Sequence, residues 1–300
     1  MKIEMKTAGI LGAAVVLGVF LMIEIIREMH TFRVVHYCIE SPKLMGMKRA
    51  RRAVFLTDLH NYCYGENNAR LYQAIVDAKP DVIFIGGDML VRKDGCAFGK
   101  TAEFLGKLPG ICDVYCANGN HEQKLKEWPK KYRQSYQEYR KLLTNAGIIM
   151  LENDCAELLW DETNVKLTGL EIPLYGYSRF GKKQIPVSEL KRRIGQADES
   201  YQILLAHNPD YMDQYLEWGA DLVLSGHLHG GIVRLPWVGG VIAPNFTLFP
   251  KYSGGHYRKK DTDIVVSRGL GAHSIPIRLW NPAELVVLEF QTCGNKKNPV

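Results

Sequence analysis

Five short clusters of metal-ligating residue types recur along the chain: Asp58-Leu59-His60, Gly87-Asp88, Gly119-Asn120-His121-Glu122, Ala206-His207-Asn208 and Gly226-His227-Leu228-His229-Gly230. Imidazole, carboxylate and amide oxygen are hard or borderline ligands, and their mixture suits Mn, Fe or Zn, with occupancy following availability. In an extended segment residues i and i+2 share a face, so Asp58 and His60 are expected to reach one ion together and His227 and His229 to stand side by side. A carboxylate can bridge two ions roughly 3.5–4 Å apart, and Asp88, behind Gly86-Gly87, is the natural bridge. Asn120 adds a neutral oxygen. Two divalent ions outweigh the carboxylates of Asp58 and Asp88 and a bridging hydroxide by about one positive charge, which favours a phosphate substrate. The expected chemistry is attack of that hydroxide on phosphorus, in line with the leaving oxygen.

Singly, each cluster is ordinary. A Gly-Asp pair is usually a turn, and His207 before Asn208-Pro209 reads equally as a capping residue. Their joint occurrence carries the reading, because each ends an apolar run (AVFLT, DVIFIG, DVYCAN, YQILLA, DLVLS) of the kind that forms a buried strand.

The elements that must position these clusters alternate. The first strand is expected over Ala53 to Thr57, a helix over Asn67 to Ala78, a strand over Asp81 to Ile85, a helix over Phe98 to Leu108, a strand over Asp113 to Ala117 and a helix over Lys131 to Asn145. Short β segments at Ile148 to Leu151, Ala156 to Trp160 and Val165 to Leu170 follow, then a helix over Val187 to Ile194. Strands at Tyr201 to Leu205 and Asp221 to Leu224 flank a helix over Asp210 to Trp218, and late strands are expected at Gly231 to Leu235, Asp263 to Ser267 and Glu284 to Phe290. This order fits an α/β fold, a four-layer α/β/β/α sandwich of two mixed sheets. Pro236 to Lys260, rich in Gly, Pro and Tyr, is expected to be a long loop over the site.

Three hundred residues with 46% hydrophobic content can bury one large α/β domain with an appendage. A formal net charge of +6, with Lys48-Arg49-Ala50-Arg51-Arg52 as the main basic run, argues against specific nucleic-acid binding. Thr7 to Ile23 is uncharged, and with Ile25 and Ile26 it supplies about 20 residues, the span of a hydrocarbon core. A single-pass N-terminal transmembrane helix in the cell membrane is expected, because the exit Glu24-Ile25-Ile26-Arg27-Glu28-Met29 has no small-x-small cleavage pattern. Lys2 and Lys6 against Arg27 and Arg33 leave the side of the catalytic domain open. The seven cysteines, odd in number and without a CxxC pair, suit reduced thiols. The expected division is an anchor at 1–28, a juxtamembrane segment at 29–51, a catalytic domain at 52–291 and a tail at 292–300.

The ordered pattern DxH, GD, GNH[DE], a later His and GHxH resembles the calcineurin-like metallophosphoesterase family. Gly226 to Pro236, with Ser267-Arg268-Gly269-Leu270-Gly271 through Pro276-Ile277-Arg278, is similar to its membrane-anchored bacterial branch, and the resemblance runs from about Arg52 to Phe290. It implies that Asp58, His60, Asp88 and His229 hold one divalent metal ion and that Asp88, Asn120, His207 and His227 hold a second. It also implies that His121 contacts the phosphate and assists the leaving group. Two departures stand out: Val91 and Arg92 occupy positions where many relatives carry a carboxylate that orients the histidine, and Ile232 replaces a frequent glutamine. Asn61, Arg92, Lys93, Arg268 and His273 are candidate substrate contacts. The expected substrate is a phosphodiester or pyrophosphate, on a nucleotide or on a lipid, the latter suggested by Trp237, Phe246, Phe249 and Tyr252 beside the anchor. The alternatives are a phosphoprotein phosphatase, which needs an open groove for an extended peptide, and a non-catalytic metal-binding interaction scaffold.

Overall fold

The computed structural model describes residues 2–92, 98–132, 135–178, 183–235, 237–243, 247–272 and 276–292, without the side chains of 2–8 and 10. In chain order the helices are α1 (Lys2–His30), α2 (Ala69–Ala78), α3 (Gly99–Gly106), α4 (Asn120–Glu127), α5 (Tyr136–Asn145), α6 (Val187–Ile194) and α7 (Met212–Trp218). The strands are β1 (Phe32–Ser41), β2 (Arg51–Leu56), β3 (Val82–Ile85), β4 (Asp113–Ala117), β5 (Ile149–Leu151), β6 (Asp154–Trp160), β7 (Thr163–Leu170), β8 (Tyr201–Ala206), β9 (Leu222–Ser225), β10 (Val233–Leu235), β11 (Gly239–Ile242), β12 (Gly255–Lys259), β13 (Thr262–Val266) and β14 (Ala283–Thr292).

Two six-stranded sheets form, in the orders β1-β14-β2-β3-β4-β5 and β12-β13-β9-β8-β7-β6. Both are mixed. In the first, β2 to β5 run parallel and β14 runs antiparallel to β2. In the second, β7, β8, β9 and β13 run parallel, with antiparallel strands at both edges. Side chains alternate across the pleat. Ala53 and Phe55 of β2 face the second sheet, where they pack with Phe84, Leu167, Ile203 and Leu224, while Val54 and Leu56 face α2, α3 and α5 through Leu71, Leu105 and Leu143. The far face of the second sheet carries α6 and α7 through Leu190, Tyr215 and Trp218. The result is helices, sheet, sheet, helices, as expected.

The differences have physical causes. β1 lies within the segment expected to be a connector; its apolar face is the short alternation Val35, Tyr37 and Ile39, which packs on the core between the sheets, and it pairs over its whole length with β14, more than 240 residues away by number. α4 was not expected because its sequence NHEQKLKE has one apolar residue, Leu125. The stretch expected as a single loop contains β11, which forms a hairpin with β10, and β12, which extends the second sheet.

α1 is a 29-residue helix. Among the described residues no helix is long and apolar enough to cross a membrane. The described side chains run from Leu11 to Glu24, Arg27 and Glu28, which end the apolar stretch, so the spanning helix expected over Thr7 to Ile23 is not carried by them. The described part does expose apolar side chains outward, among them Val16 at 70% and Met22 at 63%. At its base Glu28 is buried and accepts a hydrogen bond from the Asn281 amide at 2.7 Å, which fastens the helix to the domain.

Candidate metal centre

The clustered residues collect where the parallel strands of both sheets end. Asp58 and His60 follow β2, Asp88 follows β3, Asn120 opens α4 after β4, His207 follows β8, and His227 and His229 follow β9. Ligand sites of open α/β sheets lie at these carboxyl ends. All seven are buried except His227, which is half-buried.

The extended geometry expected for Asp58 and His60 is absent. Asp58 (φ 54°), His60 (φ 49°), Asp88 (φ 53°), His227 (φ 71°) and His229 (φ 50°) all adopt left-handed backbone. Each such non-glycine residue costs about 1–2 kcal/mol, and strain of this kind concentrates at functional sites. The turns let the two loops run on together past their strands, with Asp58 N bonded to Gly87 O (3.0 Å) and His60 N to Asp88 O (3.1 Å). They also separate His227 from His229, which were expected side by side: His229 groups with Asp58 and His60, and His227 with Asp88 and His207.

Within the first group His229 Nε2 lies 3.5 Å from Asp58 Oδ1 and 3.2 Å from His60 Nε2, and His60 Nε2 lies 3.8 Å from both Asp58 and Asp88. In the second, His207 Nε2 lies 3.1 Å from Asp88 Oδ2. Two backbone carbonyls assign the tautomers: Gly86 O is 2.8 Å from His207 Nδ1 and Gly271 O is 3.1 Å from His229 Nδ1. Both rings therefore donate outward and turn the Nε2 lone pair toward carboxylate oxygen, the arrangement that orients histidine for a metal. Facing acceptors repel unless a cation or a proton sits between them. His207 Nε2 and Asn120 Oδ1 are buried without a hydrogen-bond partner among the described residues, so the donor set fits divalent cations. A proton between these groups is the alternative to a cation: burial alone would lower His207, yet the Asp88 and Asp58 carboxylates raise it to about 10, while burial lifts Asp58 to about 6. Burial works the other way on Asp88, but His207 holds it well below the usual carboxylate range.

Packing around the cluster leaves no room for side chains at two glycines. A Cβ on Gly119 would stand 2.2 Å from Asp88 Oδ1, and one on Gly226 would stand 2.2 Å from Asp58 Oδ2. The glycines of GNH and GHxH thus admit the carboxylates to the centre.

His121 N donates to Asp88 Oδ1 at 2.8 Å, and its ring lies 4.9 Å from that of His60. Its Nδ1 accepts from the Arg92 amide at 2.9 Å, so the neutral ring carries its proton on Nε2. Where relatives carry an orienting carboxylate and this chain has Val91 and Arg92, the partner of the His121 ring is the backbone N–H of Arg92 itself. Of the other candidate contacts, Asn61 is tied by Thr101 Oγ1 at 2.8 Å, and the Arg92 guanidinium lies 5.1 Å over the Tyr132 ring. Arg268 lines a separate cavity beside the GHLHG loop. Lys93 and His273 lie outside the described residues.

Four residues without an expected role shape the centre. Glu122 accepts from the amides of Asp88 (2.8 Å), Met89 (2.8 Å) and Gly119 (3.1 Å), clamping the Asp88 turn to the start of α4. Its signal was present as the last letter of GNHE. Arg278, fully buried, donates to Gly271 O at 2.7 Å, the carbonyl that orients His229, and Asn281 Nδ2 donates to His229 O at 2.7 Å. The Tyr177 ring lies 5.2 Å from that of His227. These contacts join distant segments and leave no local pattern.

Residues 51–231 match the family model of the calcineurin-like phosphoesterase. The chain is similar to the uncharacterized metallophosphoesterase YkuE of Bacillus subtilis (26% identical, 88% of this chain and 87% of the relative). It is also similar to the phosphodiesterase YaeI of Escherichia coli (27% identical, 86% and 92%). Among solved structures TT1561 of Thermus thermophilus aligns with a TM-score of 0.44 at 12% identity, over 74% of this chain and 91% of that one. With a match over more than half its length and the motif residues gathered at one centre, the chain belongs to the calcineurin-like phosphoesterase family and is a metallophosphoesterase, an enzyme that hydrolyses phosphoric esters.

Proposed function

We propose that the centre holds two divalent ions, one with Asp58, His60, Asp88 and His229 and the other with Asp88, Asn120, His207 and His227, and that it cleaves a phosphodiester or pyrophosphate bond. The observation that carries this reading is the buried Asp88 carboxylate standing between the two groups, its Oδ2 lying 3.8 Å from His60 Nε2 of the first and 3.1 Å from His207 Nε2 of the second. Ions held by these residues would supply Lewis acidity toward a phosphoryl oxygen and make a water nucleophile more acidic near neutral pH.

The chain's own residues do the rest. The carbonyls of Gly86 and Gly271 hold the His207 and His229 lone pairs inward. Glu122 keeps the Asp88 turn in place through four main-chain amides, those of Asp88, Met89, Leu90 and Gly119. His121, its Nδ1 occupied by the Arg92 amide, presents Nε2–H as a donor to the phosphate or the leaving oxygen. We further place α1, with its outward apolar side chains, against the cell membrane, so that the enzyme works at a lipid surface.

Elemental analysis of protein purified without chelator, combined with turnover of bis(p-nitrophenyl) phosphate and of a nucleoside diphosphate conjugate, tests the reading. Two equivalents of metal per chain, with diester or pyrophosphate turnover abolished by chelation and restored by Mn, are expected. Full turnover in the metal-free protein, or hydrolysis of phosphopeptides alone, would overturn it.

A further inference from the structure

A cavity of about 540 Å³ lies beside the GHLHG loop, and no metal-ligand residue lines it. Its cations are Arg234, Lys251 and Arg268, its lining residues include no acid, and its aromatic walls are Trp237, Tyr257 and Trp280. Arg268 is the one cation of the three with a carboxylate partner among the described residues, Glu284 at 3.4 Å. Arg234 donates from a single nitrogen, Nη1, to Gly230 O and to Ser253, and Lys251 lies 5.2 Å over the Tyr252 ring. Among the described residues neither forms an ion pair, and although Glu284 also acts on Arg234 at longer range, three cations face that one acid. Positive charge is therefore in surplus in a space large enough for a small polar group.

The rim differs in character. Trp237 is 103% exposed and Trp280 44%, with Val238 and Leu235 beside them. Trp237 (φ 63°) and Trp280 (φ 54°) both hold left-handed backbone, uncommon for bulky side chains, as does the neighbouring exposed Phe249 (φ 47°). The strain presents apolar rings outward that a water-facing loop would turn in, and strain kept in this way marks functional surfaces. Trp280 precedes Asn281, whose amide is held by Glu28, so α1 and its apolar side chains leave the domain at this same corner.

Cations below, indoles at the mouth and an apolar helix alongside match the layering of a bilayer interface, where arginine and lysine meet phosphate and tryptophan sits at headgroup level. Guanidinium groups pair with phosphate oxygens in a bidentate manner. We infer that this cavity is a docking site for the phosphate-bearing headgroup of an anionic lipid, with Trp237 and Trp280 entering the interface around it. The site is distinct from the hydrolytic centre and orients that centre toward a membrane. It does not depend on bound metal, so its test separates from that of the proposed reaction.

Full-length protein in an uncharged detergent, with a chelator present, is titrated with dihexanoyl phosphatidylglycerol and followed by calorimetry and tryptophan fluorescence. Saturable binding is expected, at least tenfold tighter than for dihexanoyl phosphatidylcholine or inorganic phosphate. Lys251→Gln and Trp237→Ala should each weaken it at least fivefold, with unchanged circular dichroism. Equal binding of phosphatidylcholine would show that the cations are not read, and equal binding of inorganic phosphate would show a free-anion site. Either result, an absence of saturable binding, or self-association of the chain abolished by Trp237→Ala would overturn the inference.

Discussion

At the scale of single residues, what distinguishes this centre is how its ligands are held. His121 is anchored on both sides, by its own amide on Asp88 and by the Arg92 amide on Nδ1, so a neutral ring with its proton on Nε2 is the form the surroundings favour. His121→Ala should leave metal content nearly unchanged and lower turnover by about 10²–10⁴, the range for a positioned proton donor. The loss should be smaller on an activated aryl diester, whose leaving group needs little protonation, than on an alkyl diester. Equal losses on both would assign His121 to the phosphoryl oxygens instead, and loss of an ion would make it a ligand, as its place beside His60 and Asp88 also permits. Glu122 is tested through stability. Glu122→Ala strands four amides, those of Asp88, Met89, Leu90 and Gly119, each costing about 1–3 kcal/mol when buried and unsatisfied. Denaturant unfolding should register a loss of several kcal/mol with weaker metal binding, and a variant as stable as the wild type would show that water replaces the carboxylate without cost.

At the scale of elements, the base of α1 is part of the centre's support. The chain of contacts runs from Glu28 to the Asn281 amide, then from Asn281 Nδ2 to the carbonyls of His229 and Gly231. Removing a partner behind a ligating histidine typically weakens metal affinity about 10–100-fold. Glu28→Ala should do so for the ion held by His229, Glu28→Gln should restore it by keeping an acceptor, and deletion of residues 1–23 should leave activity intact. Metal titration of the three variants checks this; wild-type affinity in Glu28→Ala would reduce α1 to a tether. Residues before Asp58 gave no sign of this role, because a lone Glu at the end of an apolar run reads as its polar boundary. The strands that carry ligands were legible because buried parallel strands are continuous apolar runs ending in unusual residues. β1 and α4 were not: the alternation of Val35, Tyr37 and Ile39 in β1 is brief and follows directly on the apolar helix, and a polar helix has no periodic signal. Asp58 and His60 do meet at the centre, but through left-handed turns held by contacts with the Gly87 and Asp88 loop and not through the shared face of an extended strand.

At the scale of the molecule, the proposed ligands come from both sheets: Asp58, His60, Asp88 and Asn120 from the first, His207, His227 and His229 from the second. Ions bound between them would staple the sandwich at its open edge and relieve the facing acceptors. A ligand at 1,000 times its Kd stabilises by about 4 kcal/mol. For a domain of this size each kcal/mol shifts Tm by about 2–4 °C, so chelation should lower the melting temperature by about 8–16 °C, reversibly. An unchanged Tm would place the metals at the surface of an already rigid frame. The most direct test of the whole account is the metal count of Asp88→Asn beside the wild type. Asp88 alone belongs to both proposed ion sites, so the wild type should carry two ions and the variant should lose tight binding of both, with turnover falling by orders of magnitude. Two tightly held ions and near-normal turnover in Asp88→Asn would contradict it.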